Sequence, residues 1–184
     1  VLAGDSLHAL SFEILASSQT HGDPFVRGEL ISTLALASGP EGMAGGQMMD
    51  IEAEKSVVDL QTVMRLQALK TGALIAASVE MGAILGHIPV EGRTHLRGYA
   101  RDIGLAFQIA DDIMDVEGDP ELAGKALQKD AAANKGTFVS LMGLERAKQQ
   151  AEMLVRQAND HLSNYGAEAD LLRAIANYIT ERDR

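Results

Sequence analysis

Apolar positions in this chain recur at intervals of three and four residues, the spacing of a helix face, and no sustained two-residue alternation marks a strand. Leu7, Leu10, Ile14 and Leu15 set that period at once, so a first helix is expected over roughly 1–18, stopping at Ser17-Ser18-Gln19-Thr20. The pattern already runs at Val1-Leu2, and residues 1–184 are expected to be the C-terminal portion of a larger single domain. Pro24 suits the first turn of a second helix, which continues to about Ser38. Gly39-Pro40-Glu41-Gly42 marks a turn, and Met43 to Lys55 reads as a third helix despite Gly45 and Gly46. Asp59 is placed as the N-cap of a long helix to about Gly86, with Thr71-Gly72 in its middle against helix propensity. Pro89 opens the next helix, which ends near Gly118. Glu121 to about Gly136 reads as a short helix plus a polar loop, and Thr137 to Tyr165 as one helix. Gly166 breaks it, and a final amphipathic helix runs to Arg184. The pattern predicts an all-α helical bundle.

Composition narrows the class further. The 184 residues suffice for one domain with a real core, and a 46% hydrophobic content rich in Ala, Leu, Met and Ile favours helices over sheets. A net charge of −10 argues against a nucleic-acid partner, because a phosphate backbone demands a basic surface. The lack of cysteine excludes disulfides and thiolate metal sites and fits a reducing cytoplasm. No uninterrupted apolar run of about 18 residues occurs, so no transmembrane segment is expected, and no signal-peptide pattern opens the chain. The histidines at 8, 21, 87, 95 and 161 make neither a two-His metal motif nor a Glu-x-x-His pair.

The chemistry concentrates in Phe107-Gln108-Ile109-Ala110-Asp111-Asp112-Ile113-Met114-Asp115. Three carboxylates fall within about one turn of an otherwise apolar helix, and no Lys or Arg lies between Arg101 and Lys125. Asp111 and Asp115 share a face, with Gln108 one turn earlier. Like charges at that spacing repel, and burying an unpaired carboxylate costs on the order of several kcal/mol. A hard divalent cation would offset both, and Mg²⁺ is commonly shared between carboxylates and substrate phosphates. The competing reading is a solvated acidic helix end, since Gly118, Asp119 and Pro120 follow closely.

Three further patterns are ambiguous singly. Lys70-Thr71-Gly72 puts a cation and a hydroxyl into an apolar helix, where a lysine can equally snorkel and a threonine can bond its own backbone. Gly45-Gly46-Gln47-Met48-Met49-Asp50 aligns Gln47 and Asp50 beside glycines that permit close helix approach. Gly124-Lys125, Lys129-Asp130 and Asn134-Lys135 form a basic stretch after the aspartates, without the spacing of a Walker phosphate loop.

Taken in order, Gly46-Gln47/Asp50, Lys70-Thr71-Gly72, Phe107-Gln108/Asp111-Asp112/Asp115, Gly124-Lys125 and Lys135 resemble the motif series of the trans-prenyl diphosphate synthases, most nearly the bacterial farnesyl branch. The resemblance extends from Gly4-Asp5-Ser6-Leu7 to Ala176-Asn177-Tyr178-Ile179. It implies an isoprenoid-synthase helical bundle with a central cavity, a homodimer, and three Mg²⁺ ions held on an allylic diphosphate. The implied reaction condenses isopentenyl diphosphate with dimethylallyl or geranyl diphosphate to a short-chain product, farnesyl diphosphate, and releases pyrophosphate. It assigns Asp111, Asp112 and Asp115 to metal, with Asp111 the foremost direct ligand. It assigns Lys70, Lys125 and Lys135 to the allylic diphosphate, Thr71 and Gln108 to the allylic cation, and Gln47 and Asp50 to the opposite wall and metal-bound waters. The family's first aspartate-rich motif and isopentenyl-binding basic residues are missing from these residues, so the 184 residues alone are expected to be inactive. A class I terpene cyclase and a non-catalytic accessory subunit or fragment are the alternatives.

Overall fold

The computed structural model describes residues 1–55, 58–117 and 136–181, and every regular element among them is helical. In chain order these are α1 (Leu2–Ala16), α2 (Pro24–Ser38), α3 (Met43–Ala53) and α4 (Leu60–Gln67), then a π-helical turn (Ala68–Gly72) that leads directly into α5 (Ala73–Leu85). A 3₁₀ turn (Val90–Arg93) precedes α6 (Thr94–Glu117). Beyond it come α7 (Phe138–Met142), α8 (Leu144–His161), a 3₁₀ turn (Ala167–Ala169) and α9 (Asp170–Glu181).

The helix starts follow local chemistry. Asp23 caps α2 by accepting from the Phe25 amide at 2.8 Å, with Pro24 in the first turn. Asp59 caps α4 in the same way, accepting from the Thr62 amide at 2.8 Å. Three expectations need correction. The stretch from Asp59 to Gly86 is not one regular α-helix: it widens into the π turn at Ala68–Gly72, where glycine and a β-branched residue weaken the α-helical ladder. The stretch 137–165 is likewise split, because Gly143 adopts φ 85° and separates α7 from α8. Pro89 opens the 3₁₀ turn rather than α6 itself. The short helix and loop read over 121–136 lie, but for Gly136, outside the described residues.

The core forms around α6, which packs against α8, α5, the π turn and α9. Leu96, Tyr99, Ile103, Ala106 and Ile109 meet Ala147, Ala151, Leu154, Val155 and Ala158 of α8, and Ala176 and Ile179 of α9 join the same cluster. Alanine at these α8 positions lets the two axes approach closely. Tyr99 is fully buried and donates its hydroxyl to the Leu172 carbonyl at 2.7 Å; burial pushes its pKa up to about 12, so it stays protonated. At the other end, buried Arg93 bridges Glu29 (2.6 Å) and Glu80 (3.2 Å), and Arg97 pairs with Glu80 at 2.8 Å. By length and composition Leu60–Leu85 is apolar enough to cross a membrane, but it packs beside α2, α3 and α6, with Lys70 and Glu80 in ion pairs.

Candidate active site

The acidic end of α6 forms one wall of a cavity of about 210 Å³. Gln108, Asp111, Asp112 and Asp115 line it from α6, Asp50 from α3, Leu66 and Gln67 from α4, and Lys70 from the π turn. Ala53, Val58, Val63, Gly136 and Thr137 complete the lining. The helix period explains the α6 contribution: positions 108, 111, 112 and 115 share one side, while Ala106 and Ile109 are fully buried in the core on the other.

Lys70 owes its place to backbone geometry. Gly46 of α3 lies so close to the π turn that a Cβ built there would sit 2.2 Å from the Lys70 nitrogen and 2.6 Å from its Cα. Only a residue without a side chain permits that approach. The Lys70 ammonium donates to Asp50 Oδ2 at 2.6 Å, with side chains 33% and 13% exposed. The pair thus sits at the edge of the cavity, partly shielded, where a cation interacts more strongly than in bulk water. A π turn inside an α-helix is a frequent mark of a functional position.

Of the residues singled out from sequence, Asp50, Lys70, Gln108, Asp111, Asp112 and Asp115 are brought together. Thr71 lies in the π turn and Gln47 one turn before Asp50; both are half-buried and neither lines the cavity. Lys125 and Lys135 fall outside the described residues. Sequence reading missed Gln67, whose Oε1 is buried with no hydrogen-bond partner among the described residues. Its place three residues before Lys70 was the only available signal. It also missed Thr137, which caps α7 by accepting from the Ser140 amide at 3.1 Å.

The three α6 carboxylates and the partly exposed lysine match the chemistry of a Mg²⁺–diphosphate site: hard oxygens, a cation, no sulfur, and no histidine on the lining. Among the described residues no three acidic or histidine side chains converge as a complete protein cage. Mg²⁺ needs no such cage, since it binds through one or two carboxylates and takes its remaining oxygens from water and phosphate.

The sequence matches the polyprenyl synthetase family profile over residues 1–178. It is 41% identical over 192 residues to the farnesyl diphosphate synthase of Escherichia coli, a match that spans all of this chain and 63% of that protein. The structure superimposes on an FPP/GFPP synthase from Zymomonas mobilis with a TM-score of 0.86 and 55% identity, covering 97% of this chain and 60% of that one. A geranyltransferase from Helicobacter pylori, solved with magnesium and isoprenyl diphosphate, gives a TM-score of 0.82 at 35% identity, covering 98% of this chain and 59% of that one. The chain therefore spans roughly three fifths of the length of the relatives it matches.

Proposed function

The chain belongs to the polyprenyl synthetase family, and we propose that the protein of which these residues form part is a prenyltransferase joining isopentenyl diphosphate to an allylic diphosphate. The observation that carries this reading is a single cavity that gathers Asp50, Lys70, Gln108, Asp111 and Asp115 from distant parts of the sequence.

Lys70 donates to the diphosphate of the allylic substrate, leaving its contact with Asp50 or sharing it. Asp50 holds the ammonium at the cavity edge beforehand, so little reorganisation is needed when charge develops on the leaving group. Gln108 turns its carbonyl oxygen toward the allylic carbon as positive charge grows there, while Thr71 follows Lys70 in the π turn, off the cavity lining. Val63 and Leu66 give the wall an apolar surface that keeps water from the reacting carbon. Asp111 and Asp115 would hold Mg²⁺, whose chemistry there is neutralisation of the departing pyrophosphate. Lys125 and Lys135 complete the grip on the diphosphate in this proposal, and Gln47 supports the wall behind Asp50. The natural product is farnesyl diphosphate, and the working unit is a cytoplasmic homodimer that uses three Mg²⁺ ions.

The test, on the protein of which these residues form part, is incorporation of labelled isopentenyl diphosphate with dimethylallyl or geranyl diphosphate, with Mg²⁺ and then with excess chelator. A chelator-sensitive fifteen-carbon diphosphate is expected. Turnover of a long allylic diphosphate without isopentenyl diphosphate would replace this reading with a cyclase. No turnover, combined with altered output from an active synthase on mixing, would replace it with an accessory subunit.

A further inference from the structure

The three aspartates of α6 do not occupy equivalent environments. Asp112 is buried, 7% exposed, and its Oδ2 accepts a hydrogen bond from the Phe138 amide at 2.7 Å. Phe138 is the first residue of α7 and one of the largest fully buried side chains. The first-turn amides of a helix have no partner within it. Thr137 and Ser140 satisfy one another through a capping box, with 2.8 Å from the Thr137 amide to Ser140 Oγ and 3.1 Å from the Ser140 amide to Thr137 Oγ1. That box leaves the Phe138 amide to be met from elsewhere, and Asp112, 26 residues earlier, meets it. The contact joins α6 to the segment whose Gly136 and Thr137 line the same cavity as Asp111 and Asp115.

We propose that Asp112 is a positioning residue rather than a metal donor: it locks the start of α7 to α6 and thereby sets the width of the cavity in which Asp111 and Asp115 act. The assignment rests on the prenyltransferase reading only for what the cavity binds; the anchoring contact itself stands without it. The contact requires an acceptor at position 112. Asparagine keeps an oxygen for the Phe138 amide, whereas alanine removes it and leaves a buried donor unsatisfied.

The experiment compares Asp112→Asn, Asp112→Ala and Asp111→Asn in the full chain by two measurements. Hydrogen exchange at the Phe138 amide reads the anchor, and Mn²⁺ titration in the presence of inorganic pyrophosphate, followed by electron paramagnetic resonance, reads the metal site. The Phe138 amide is expected to stay protected in D112N and to exchange about tenfold faster or more in D112A. Mn²⁺ affinity is expected to hold within about twofold in D112N and to fall about tenfold or more in D111N. D112N weakening Mn²⁺ as severely as D111N would overturn the proposal, as would equal protection of Phe138 in D112A and wild type. If no variant nor wild type binds Mn²⁺, the exchange comparison alone supports or overturns the anchor. Failure of the prenyltransferase reading shows separately, as no consumption of isopentenyl diphosphate by a protein that still binds Mn²⁺.

Discussion

Gly46→Ala tests whether the approach of α3 to the π turn sets the position of Lys70. The added Cβ would meet the Lys70 nitrogen at 2.2 Å, its Cα at 2.6 Å and the Leu69 carbonyl carbon at 2.8 Å. All three atoms are backbone, so no rotamer change relieves the clash. Restoring an ordinary 3.4 Å contact from 2.2 Å requires the two backbones to part by about 1.2 Å (3.4 minus 2.2). Overpacking of that kind costs about 1–3 kcal/mol, and the better helix propensity of alanine returns up to about 1 kcal/mol. With the full return the net loss is at most about 2 kcal/mol, a fall in Tm of up to roughly 8 °C for a chain of this size. The same separation would stretch the 2.6 Å contact between Lys70 and Asp50. A displacement near 1 Å in a positioning element can cost on the order of a hundredfold in turnover. Circular-dichroism melting and calorimetric binding of inorganic pyrophosphate with Mg²⁺ would measure the two effects. Gly28→Ala on α2 is the control, since a Cβ there meets nothing within 4 Å, and its Tm should hold or rise slightly. If Gly46→Ala melts with the control and binds pyrophosphate unchanged, the π turn is not wedged by Gly46.

Lys70→Met keeps the length of the side chain and removes its charge; pyrophosphate affinity should fall about tenfold or more, and equal affinity in calorimetry would remove Lys70 from the site. Asp111→Ala should lower condensation by orders of magnitude with little change in Tm, and full activity in a folded variant would exclude its metal role. Gln67→Leu removes the buried Oε1 that has no partner among the described residues, so Tm without ligand should hold or rise by about 1 kcal/mol equivalent; a clear fall would reveal an acceptor role for that oxygen. The Arg97 hydrogen bond, opposed by burial, holds the Glu80 carboxyl below its ordinary 4.5. A carboxylate so lowered stabilises the fold above that value and loses its contribution as pH falls through its folded value. Glu80→Gln should therefore flatten the acid side of a Tm–pH profile below about 4.5, and an unaltered acid limb would separate Glu80 from acid stability.

The helical class and most element limits were legible because apolar spacing and caps act locally: Asp23, Pro24 and Asp59 do what their side chains do in any chain. The π turn was visible only as a discord, Thr71-Gly72 inside an apolar helix. Periodicity cannot distinguish a widened turn from a regular one, and the close approach of Gly46 to it is a tertiary contact with no local signature. Gly143 escaped notice for a similar reason, since a helical pattern runs on both sides of it. In the site, the shared face of Gln108, Asp111 and Asp115 follows from helix geometry alone. The anchoring role of Asp112 did not, because its partner is a backbone amide 26 residues away and carries no side-chain signature. Gln67 was hidden in the same way, its significance resting on the absence of a partner among the described residues rather than on residue type.

The position of the aspartates along α6 bears on why this chemistry is held where it is. The last turns of a helix carry partial negative charge, which favours cations and disfavours carboxylates. Asp111, Asp112, Asp115 and Glu117 all lie in that region, so local electrostatics oppose the helix the residues form. Lys148 answers Glu117 from α8 at 2.7 Å, and the Phe138 amide answers Asp112. Both partners come from elements that also bury the core side of α6, so the packing that holds the helix supplies part of the counter-charge. Asp111 and Asp115 line the cavity, where, in the reading proposed above, the helix terminus and the carboxylates together would attract a multivalent cation. A conflict between local preference and global fold, confined to the cavity-facing edge of an otherwise consistent helix, is expected where function rather than stability has chosen the residues.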